Sequence, residues 1–482
     1  MNTLWAYFPL LVPALAIAGL GGTAPEPRLA LRLARASALA LWAVAAWLLL
    51  RPPHLWDALS LWYMLLVLVL GGLGLHVSAH YIGAEWAQGE LDGAALRRYL
   101  TLYEAFVLCL LAVSAASDYL LLWAAVEGTT LSTVLLVAFP GGPGALEAAW
   151  KYIVVTGAGG LLALIGTVLT LVGASIPLGG WGLAPPPHPA SLPVAAVVAL
   201  QAGLLLAVVG YGSKAGLVPC HTWLPDAHSE APAPVSALLS GVKLVAGLYA
   251  ILRLTALASV ELGPALPHDL LIGLGLASLA VAAAAIVGQR DLKRLFAYSS
   301  IEHTGIIALG AGFGGVALLG ALLHMWTHGF GKTTLFFGSG NVRLRFAATG
   351  GRRVRGLLRA MPLTGSALTL AAAAIVGLPP FGLFFSEWLV LYGGVRSGHA
   401  LWAAVALGLL VVALLGFGRR LPDFLLGEAP PDLPGPVEDG GATWPLAVGV
   451  AGVLAAGLAV PSALHTTWLH AAALLGGRGA IR

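Results

Sequence analysis

The stretch Val209-Gly-Tyr-Gly-Ser-Lys-Ala-Gly-Leu-Val-Pro219 places a lysine, glycines and a proline inside a hydrophobic segment that runs from residue 193 to about residue 223. A hydrocarbon core of about 30 Å needs roughly 20 apolar residues of helix, so this segment is long enough to cross a bilayer. Proline and glycine disrupt helical hydrogen bonding, and they predict a kink or an interruption in this span. A second long segment, residues 362–393, contains Gly377-Leu-Pro-Pro-Phe-Gly382 and predicts a second interrupted span.

The composition of the whole chain is typical of a membrane protein. Of its 482 residues, 59% are hydrophobic and 10% are charged, whereas an ordinary soluble domain has about 25% charged residues. The two cysteines, Cys109 and Cys220, are far apart and show no metal-binding spacing, so we expect neither a metal site nor a cofactor in this chain. The net charge of +4 is spread over loops, and we therefore expect no nucleic-acid partner.

The same length criterion predicts an all-α polytopic membrane protein of about fourteen transmembrane helices. The predicted spans are residues 4–21, 29–50, 59–79, 99–116, 119–139, 152–172, 193–223, 235–258, 266–288, 295–313, 316–342, 362–393, 401–417 and 444–460.

The distribution of lysine and arginine predicts the orientation of these spans. Loops that follow odd-numbered spans, with their flanks, hold seventeen of the twenty-five cations, and the opposite side holds four. Cytoplasmic loops of membrane proteins carry the excess of positive charge, so we expect both termini to lie outside the cytoplasm. The expected location is the inner (cytoplasmic) membrane of a bacterial or archaeal cell. The four remaining cations lie inside spans, and they are Lys214, Lys243, Arg253 and Lys332.

The two interrupted spans are the seventh and the twelfth, and this spacing of five spans indicates an internal five-helix repeat. An odd number of spans per unit inverts the second copy relative to the first, as in many transporters. The alternative is that proline only kinks these helices. The predicted divisions are an N-terminal three-helix region (1–98), a first repeat (99–258), a second repeat (266–421), and a linker with the last span (422–482).

Ionisable side chains within the spans are the main candidates for function, because each costs several kcal/mol inside a bilayer. Glu127 lies in the middle of the fifth span, with no charged neighbour nearby in the sequence, and Lys214 lies just before the first helix break. We expect these two residues to take part in proton transfer. The alternative for Glu127 is a structural partner for one buried cation.

The eleventh span carries His324, His328 and Lys332 at positions i, i+4 and i+8, which places all three on one face of a helix. Four residues rise about 6 Å, a gap that one or two waters can bridge. Because histidine titrates near neutral pH, the arrangement predicts a proton wire. A helix-packing role is the alternative, and a metal site from the two histidines would need a third ligand. Glu387, after the second break, is the expected terminal acid.

Other ionisable residues within spans are weaker candidates. Glu104, Glu302 and His303 could line an access channel, or they could reach an interface by extending their side chains. Arg253 is interpreted as an interfacial anchor, since a guanidinium does not readily release a proton. Residues 224–234 are expected to form a loop on the side with the excess of cations. This loop contains acids and no lysine or arginine, and we expect it to serve proton entry or contact with a partner subunit.

Residues 214–241 read Lys-Ala-Gly-Leu-Val-Pro-Cys-His-Thr-Trp-Leu-Pro-Asp-Ala-His-Ser-Glu-Ala-Pro-Ala-Pro-Val-Ser-Ala-Leu-Leu-Ser-Gly. This stretch resembles the signature of the antiporter-like membrane subunits of respiratory complex I and its Mrp relatives. Ala297-Tyr-Ser-Ser-Ile-Glu-His-Thr-Gly305, the histidine motif and the second Gly-Pro break fit the same family. The likeness covers roughly residues 95 to 420. Within the family, the sequence is most similar to component F of hydrogenase-4 type complexes.

The resemblance implies a fourteen-helix fold with inverted repeats and a hydrated central axis. It implies that Glu127 and Lys214 form a switching ion pair, that Lys332 is the central relay with its histidines, and that Glu387 is the exit group. One departure concerns Lys243. The family often has a lysine whose usual spacing falls on Val245, and on a regular α-helix Lys243 would lie about 200° away from it.

The resulting hypothesis is a proton-translocating, non-redox subunit of a complex I-like or membrane-bound hydrogenase-type oxidoreductase. Its expected partners are related antiporter-like subunits and a redox module. We expect this chain to be an internal subunit of the complex and not the terminal one. The alternatives are a subunit of a sodium/proton antiporter, a quinone-reactive subunit of an NADH:quinone oxidoreductase, and a passive membrane scaffold.

Overall fold

The computed structural model describes residues 7–22, 26–50, 56–176, 182–183, 192–350, 353–433, 438–460 and 462–476. Within these ranges the protein is built of helices and contains no β-strand, which confirms the predicted all-α class. In chain order the helices are α1 (Phe8–Gly22), α2 (Pro27–Leu50), α3 (Ala58–Ala87), α4 (Gly93–Ala115), α5 (Tyr119–Val137), α6 (Gly142–Gly173), α7 (Val194–Ala215), α8 (Trp223–Glu230), α9 (Ala233–Leu238), a π-helical segment (Leu239–Lys243), α10 (Leu244–Leu262), α11 (Ala265–Gly288), α12 (Leu292–Phe313), α13 (Gly315–Phe346), α14 (Leu357–Ala360), α15 (Pro362–Ile375), α16 (Gly382–Arg396), α17 (Ala400–Leu425), α18 (Gly440–Leu458) and α19 (Ser462–Gly476).

Ten helices of the described chain are long and apolar enough to cross a membrane by length and composition. They are α2 to α7, the continuous unit from α9 to α10, α11, α17 and α18. The other predicted spans correspond to the short helix α1, the polar-substituted helices α12 and α13, and the two half-helices α15 and α16. The start of the first predicted span, and the counted cations Arg51, Arg352, Arg478 and Arg482, lie outside the described residues.

Both predicted interruptions are present. Helix α7 ends at Ala215, and Gly216 turns the chain with a φ of 72°. Helix α15 ends at Ile375, and Gly377 has a φ of 70° before α16 begins. Both φ values lie in the left-handed region, which glycine adopts without steric cost and other residues rarely enter. The two breaks therefore have a local sequence cause.

One expectation about local structure was wrong. The acidic segment that follows the first break was expected to be a loop, but residues 223–230 form helix α8. Pro225 lies in the first turn of this helix, where a backbone N–H has no helical partner, so the proline is tolerated there. The segment is thus a short helix that is held against the interior.

The polypeptide runs from α9 to α10 through the π-helical segment Leu239–Lys243. A π turn closes hydrogen bonds over five residues instead of four, and such turns are frequent at functional sites. Lys243 is the last residue of this segment. Lys243 and Leu244 themselves have α-helical backbone angles, so the angle of about 200° between positions 243 and 245 is retained.

The interior of the protein is formed by the unit from α9 to α10 together with α3, α12 and α13, whose side chains are mostly buried. Helices α6, α17 and α18 lie at the periphery and expose leucines such as Leu161 and Leu415. Most of the buried ionisable side chains within the helices lie in the central group.

The last helix, α19, was not predicted from the sequence. It packs against α3 and α13, and it buries Trp468, Ala471 and Ala472. The indole nitrogen of Trp468 donates a hydrogen bond to the carbonyl of Leu319 at 2.9 Å. Its 15 residues are too few for the length criterion, so this helix is recognised only by its packing.

Candidate functional site

An ion pair joins α5 to α7 inside the protein. The ammonium of Lys214 lies 2.9 Å from Oε2 of Glu127 and donates a second hydrogen bond to the hydroxyl of Thr130 at 3.2 Å. The Lys214 side chain is fully buried, whereas 20% of the Glu127 side chain is exposed. The structure thus brings the two predicted partners into direct contact, and it leaves only the acid accessible.

Helix α6 makes room for this pair. The backbone of Gly160 faces the carboxylate of Glu127 so closely that a Cβ atom at this position would overlap it. The indole nitrogen of Trp123 donates to the carbonyl of Gly160 at 2.9 Å, which fixes α5 against α6. The position of the acid therefore depends on an absent side chain on the neighbouring helix.

Lys243 lies in an aromatic cage beside the first helix break. Its ammonium is 4.5 Å from the ring centroid of Trp223 and 4.9 Å from that of Tyr152. It has no hydrogen-bond partner among the described residues, so the ring faces supply the stabilisation of this cation. Trp223 donates to the carbonyl of Ser213, the residue before Lys214, at 2.9 Å. The cage therefore connects Lys243 to the turn that carries Lys214.

Lys332 lies at the centre of the buried region, on α13. Its ammonium donates to the carbonyl of Phe296 at 3.0 Å and to the hydroxyl of Ser299 at 2.5 Å, both on α12. No carboxylate of the described chain forms an ion pair with it. A fully buried lysine that is held only by neutral oxygens is costly in its charged form and is suited to lose or gain a proton.

The two histidines of α13 are linked by a third histidine from α12. Nδ1 of His303 lies 2.8 Å from Nε2 of His324, and the His303 ring centroid is 5.1 Å from that of His328. His328 in turn contacts the carbonyl of Ser240, in the π-helical segment, at 3.3 Å. The gap between positions i and i+4, for which we expected water, is therefore partly filled by a side chain.

Glu387 lies at the far end of this histidine cluster. Nδ1 of His324 lies 2.8 Å from the hydroxyl of Ser386, which itself donates to the carbonyl of Leu383. His303, His324 and Glu387 each present one atom capable of binding a metal, and these atoms lie within 4.8 Å of one another. Glu387 is partly exposed, and the adjacent histidines are fully buried.

Two of the weaker candidates, Glu302 and Glu104, are both buried, but only Glu302 lies near the central cluster. Glu302 is buried on α12, close enough to Lys332 and Glu387 for electrostatic interaction. Glu104 is fully buried on α4 and accepts a hydrogen bond from Ser37 of α2 at 3.1 Å. No hydrogen bond of the described structure connects Glu104 to the other candidates, so the structure does not bring it into the same cluster.

Arg253, expected as an interfacial anchor, forms an ion pair with Asp57 at 2.6 Å and also donates to Ser60 and Tyr249. Asp57 precedes the first turn of α3. Burial would raise the pKa of its carboxyl, but the hydrogen bond and charge of Arg253 hold that pKa below its usual range. The guanidinium is therefore fixed by an ionised acid at the end of α3.

One of the two acids of α8, Asp226, is neutralised by other helices. Asp226 pairs with Lys151 of α6 at 3.0 Å and with Arg294 of α12 at 2.7 Å. Lys293, counted among the loop cations, is instead buried and donates to the carbonyls of Ser229 and Ala231 at the end of α8. These contacts explain why an acidic segment is stable on the side that carries the excess of cations.

Sequence reasoning missed His228. This residue is fully buried on α8, and neither ring nitrogen has a hydrogen-bond partner in the described part of the protein. Its ring stacks on Phe336, one turn beyond Lys332, with centroids 4.9 Å apart. Lys243 and Lys332 are both close enough to act on its charge. The interpretation of residues 224–234 as a loop concealed it.

Comparisons with known proteins identify the family of this chain. The sequence model of the family described as "NADH:quinone oxidoreductase/Mrp antiporter, TM" matches residues 116–414, which is more than half of the chain. The protein belongs to this family. The match includes both helix breaks and every candidate described above except Glu104.

Two curated relatives show the range of this antiporter family. The chain is 39% identical over 379 residues to a hydrogenase-4 component F homolog of Methylacidiphilum infernorum, covering 77% of this chain and 79% of the relative. It is 34% identical over 370 residues to NADH-quinone oxidoreductase subunit N of Desulforudis audaxviator, covering 75% of this chain and 72% of that subunit.

Two solved structures share the fold of this chain. A chain of the membrane-bound sulfane sulfur reductase, an archaeal respiratory membrane complex, superposes with a TM-score of 0.82 at 23% identity, covering 98% of this chain and 97% of that one. A chain of the Mrp complex from Dietzia sp. DQ12-45-1b superposes with a TM-score of 0.81 at 20% identity, covering 99% and 97%. At these identities the likeness concerns architecture.

Proposed function

We propose that this protein is a proton-translocating membrane subunit of a complex I-like or membrane-bound hydrogenase-type oxidoreductase complex. The observation that carries the proposal is the buried Glu127–Lys214 pair, which lies at one end of a series of ionisable side chains. The names of the curated relatives support the same class of complex. In this proposal the chain holds no cofactor, and related membrane subunits and a redox module are its partners.

The pair acts as the switch. A buried charge whose partner is removed is destabilised by several kcal/mol, because desolvation is no longer offset by the partner. When Glu127 is drawn away from Lys214, the ammonium therefore gives up its proton to the interior. When the carboxylate returns, the charged ammonium is again favoured and a new proton is taken up.

The proton passes from Lys214 towards Glu387 through the central side chains. Lys243 lies beside the pair, His228 is close to both Lys243 and Lys332, and the cluster of His328, His303 and His324 leads to Glu387. Direct contacts join some of these groups, and we propose that water bridges the remaining gaps. Lys332 is the central group because it is buried without a carboxylate partner in the described structure.

We further propose fourteen membrane spans arranged as two inverted five-helix units, residues 99–258 and 266–421. In each unit the fourth span is the broken one, α7 with α8 in the first and α15 with α16 in the second. Residues 1–98 and 422–482 flank the units. The asymmetry of lysine and arginine supports both termini outside the cytoplasm of a bacterial or archaeal cell, in its inner membrane.

A sodium/proton antiporter subunit is the second candidate, favoured by the architectural likeness to a chain of an Mrp complex. Hard cations prefer sets of oxygen ligands. The central candidates here are mostly nitrogen bases, namely lysines and histidines. This chemistry favours the proton as the transported ion.

The test compares proton uptake by proteoliposomes that contain the complex purified with this chain. Lys214→Ala and Glu127→Gln are each expected to abolish most of the uptake, whereas Lys151→Ala, which changes a partly exposed lysine at the start of α6, is expected to leave it unchanged. Replacing sodium by potassium should have no effect. Full uptake in both variants would reject the proton mechanism, and strict dependence on sodium would favour the second candidate.

A further inference from the structure

A cluster of metal-binding side chains lies at the end of the proposed proton path. His303 of α12, His324 of α13 and Glu387 of α16 bring one ligand atom each to within 4.8 Å of one another. Tetrahedral zinc holds its ligands at about 2.0–2.2 Å, which places neighbouring ligand atoms roughly 3.3 Å apart. The facing histidine nitrogens, Nδ1 of His303 and Nε2 of His324, are 2.8 Å apart and share one hydrogen bond, so metal binding requires a rotation of the His303 ring as well as a movement of the flexible glutamate side chain.

The hydrogen bonds around His324 orient it as a ligand. The hydroxyl of Ser386 donates to the carbonyl of Leu383, so it accepts from Nδ1–H of His324. In the neutral ring this leaves the lone pair on Nε2, the atom that faces His303. A histidine ligand that is held through its other nitrogen by an oxygen is the usual arrangement in metal sites.

His303 carries the second lone pair on its other nitrogen, and rotation of its ring also frees the lone pair of His324. When its Nδ1–H donates to His324, Nε2 carries the lone pair, and this buried atom has no hydrogen-bond partner within the described chain. The ring is fully buried. An unpartnered nitrogen in the interior is unfavourable, and coordination of a metal ion after a ring rotation would satisfy it.

We propose that these three residues form a binding site for a divalent transition-metal ion of the zinc type. Two imidazoles and one carboxylate, with a fourth position open to water, match the ligand set of open zinc sites. The carboxylate also compensates part of the charge of the ion. Because Glu387 is partly exposed, it provides the entrance, while His303 and His324 lie deeper.

The consequence for transport rests on the proposed function. A metal ion at this site occupies the two histidines and the terminal acid, so it stops proton movement at the last step. The inference makes zinc an inhibitor, rather than a resident cofactor, of this subunit.

Binding is tested without any proton flux, so that its outcome is independent of transport. The full chain, purified with the subunits that accompany it and placed in lipid nanodiscs, is titrated with Zn²⁺ in competition with a zinc-sensitive dye. We expect one site per chain, with affinity at least tenfold weaker in both His324→Ala and Glu387→Gln. His465→Ala, which removes an exposed histidine of α19, should bind zinc like the original protein.

Two further measurements separate coordination from a general loss of structure. Ser386→Ala removes the group that orients His324 and supplies no ligand, so it should weaken zinc binding several-fold while the protein stays folded. Co²⁺ in place of Zn²⁺ should give the visible absorption of a tetrahedral ion, and His303→Gln should remove it. Zinc binding that is absent, or unchanged in His324→Ala and Glu387→Gln, would overturn the site.

Discussion

At the scale of single residues, the buried lysines differ in how their charge is satisfied. Lys214 has a carboxylate, Lys332 has neutral oxygens, Lys293 has two backbone carbonyls, and Lys243 has only two aromatic rings. The first three arrangements place oxygen acceptors at the ammonium. The fourth leaves a desolvated cation without a hydrogen bond in the described structure, which is unfavourable for folding alone.

This difference predicts opposite effects of two substitutions on stability. Lys243→Met removes a poorly satisfied charge and should raise the thermal unfolding midpoint of the purified protein while it lowers proton uptake. Replacement of buried charges by apolar side chains of similar volume is often neutral or stabilising.

Lys293→Met is the matched control for Lys243→Met. It leaves the carbonyls of Ser229 and Ala231 without their donor, and a buried unsatisfied polar group costs about 1–3 kcal/mol. The unfolding midpoint should therefore fall. A lower midpoint for Lys243→Met than for Lys293→Met would show that the aromatic cage stabilises Lys243 more than expected.

At the scale of secondary-structure elements, helix contacts decide where the ionisable groups lie. Sequence spacing correctly placed His324, His328 and Lys332 on one helix, because the residues share one element. It could not show that His303 of α12 would stand between the two histidines, since this depends on how two helices pack. His228 was missed because prolines at positions 225, 232 and 234 favour a loop, and the π-helical segment at Lys243 has no signal in the sequence that we used.

The contact of α5 with α6 gives a prediction at this scale. Gly160→Ala places a Cβ against the carboxylate of Glu127, so the acid should move away from Lys214 and proton uptake should fall strongly. Gly157 lies about one turn earlier on α6, and a Cβ atom at this position would meet no other atom within 4 Å. Gly157→Ala should therefore leave proton uptake unchanged. Proton uptake by proteoliposomes is compared for both variants, and equal activity in the two would show that the pair tolerates displacement of Glu127.

At the scale of the whole molecule, the all-α class and the two helix breaks follow from apolar length, glycine and proline, so the sequence predicted these features correctly. The number of spans and their orientation are harder to obtain, because the half-helices α15 and α16 are shorter than a full span and the polar helix α12 does not meet the combined criterion of length, hydropathy and charge. Helix α19 is recognised only through Trp468 and its packing partners.

The proposed orientation predicts which loops a membrane-impermeant thiol reagent can reach. In a variant without Cys109 and Cys220, Ser397→Cys should be labelled from outside intact cells, and Glu147→Cys only after permeabilisation. Ser397 follows α16, and Glu147 lies at the start of α6, on the side with the excess of cations. Labelling of Glu147→Cys in intact cells would reverse the proposed topology.

The unequal accessibility of Glu127 and Lys214 sets how a neighbouring subunit can communicate with this one. Only the acid can be reached from outside the chain, and the base is sealed within it. A cation presented by an adjacent protein at that surface would compete with Lys214 for the carboxylate across a few ångströms. Information could then pass between subunits as a change in electrostatic potential, without a large rearrangement of either helical bundle.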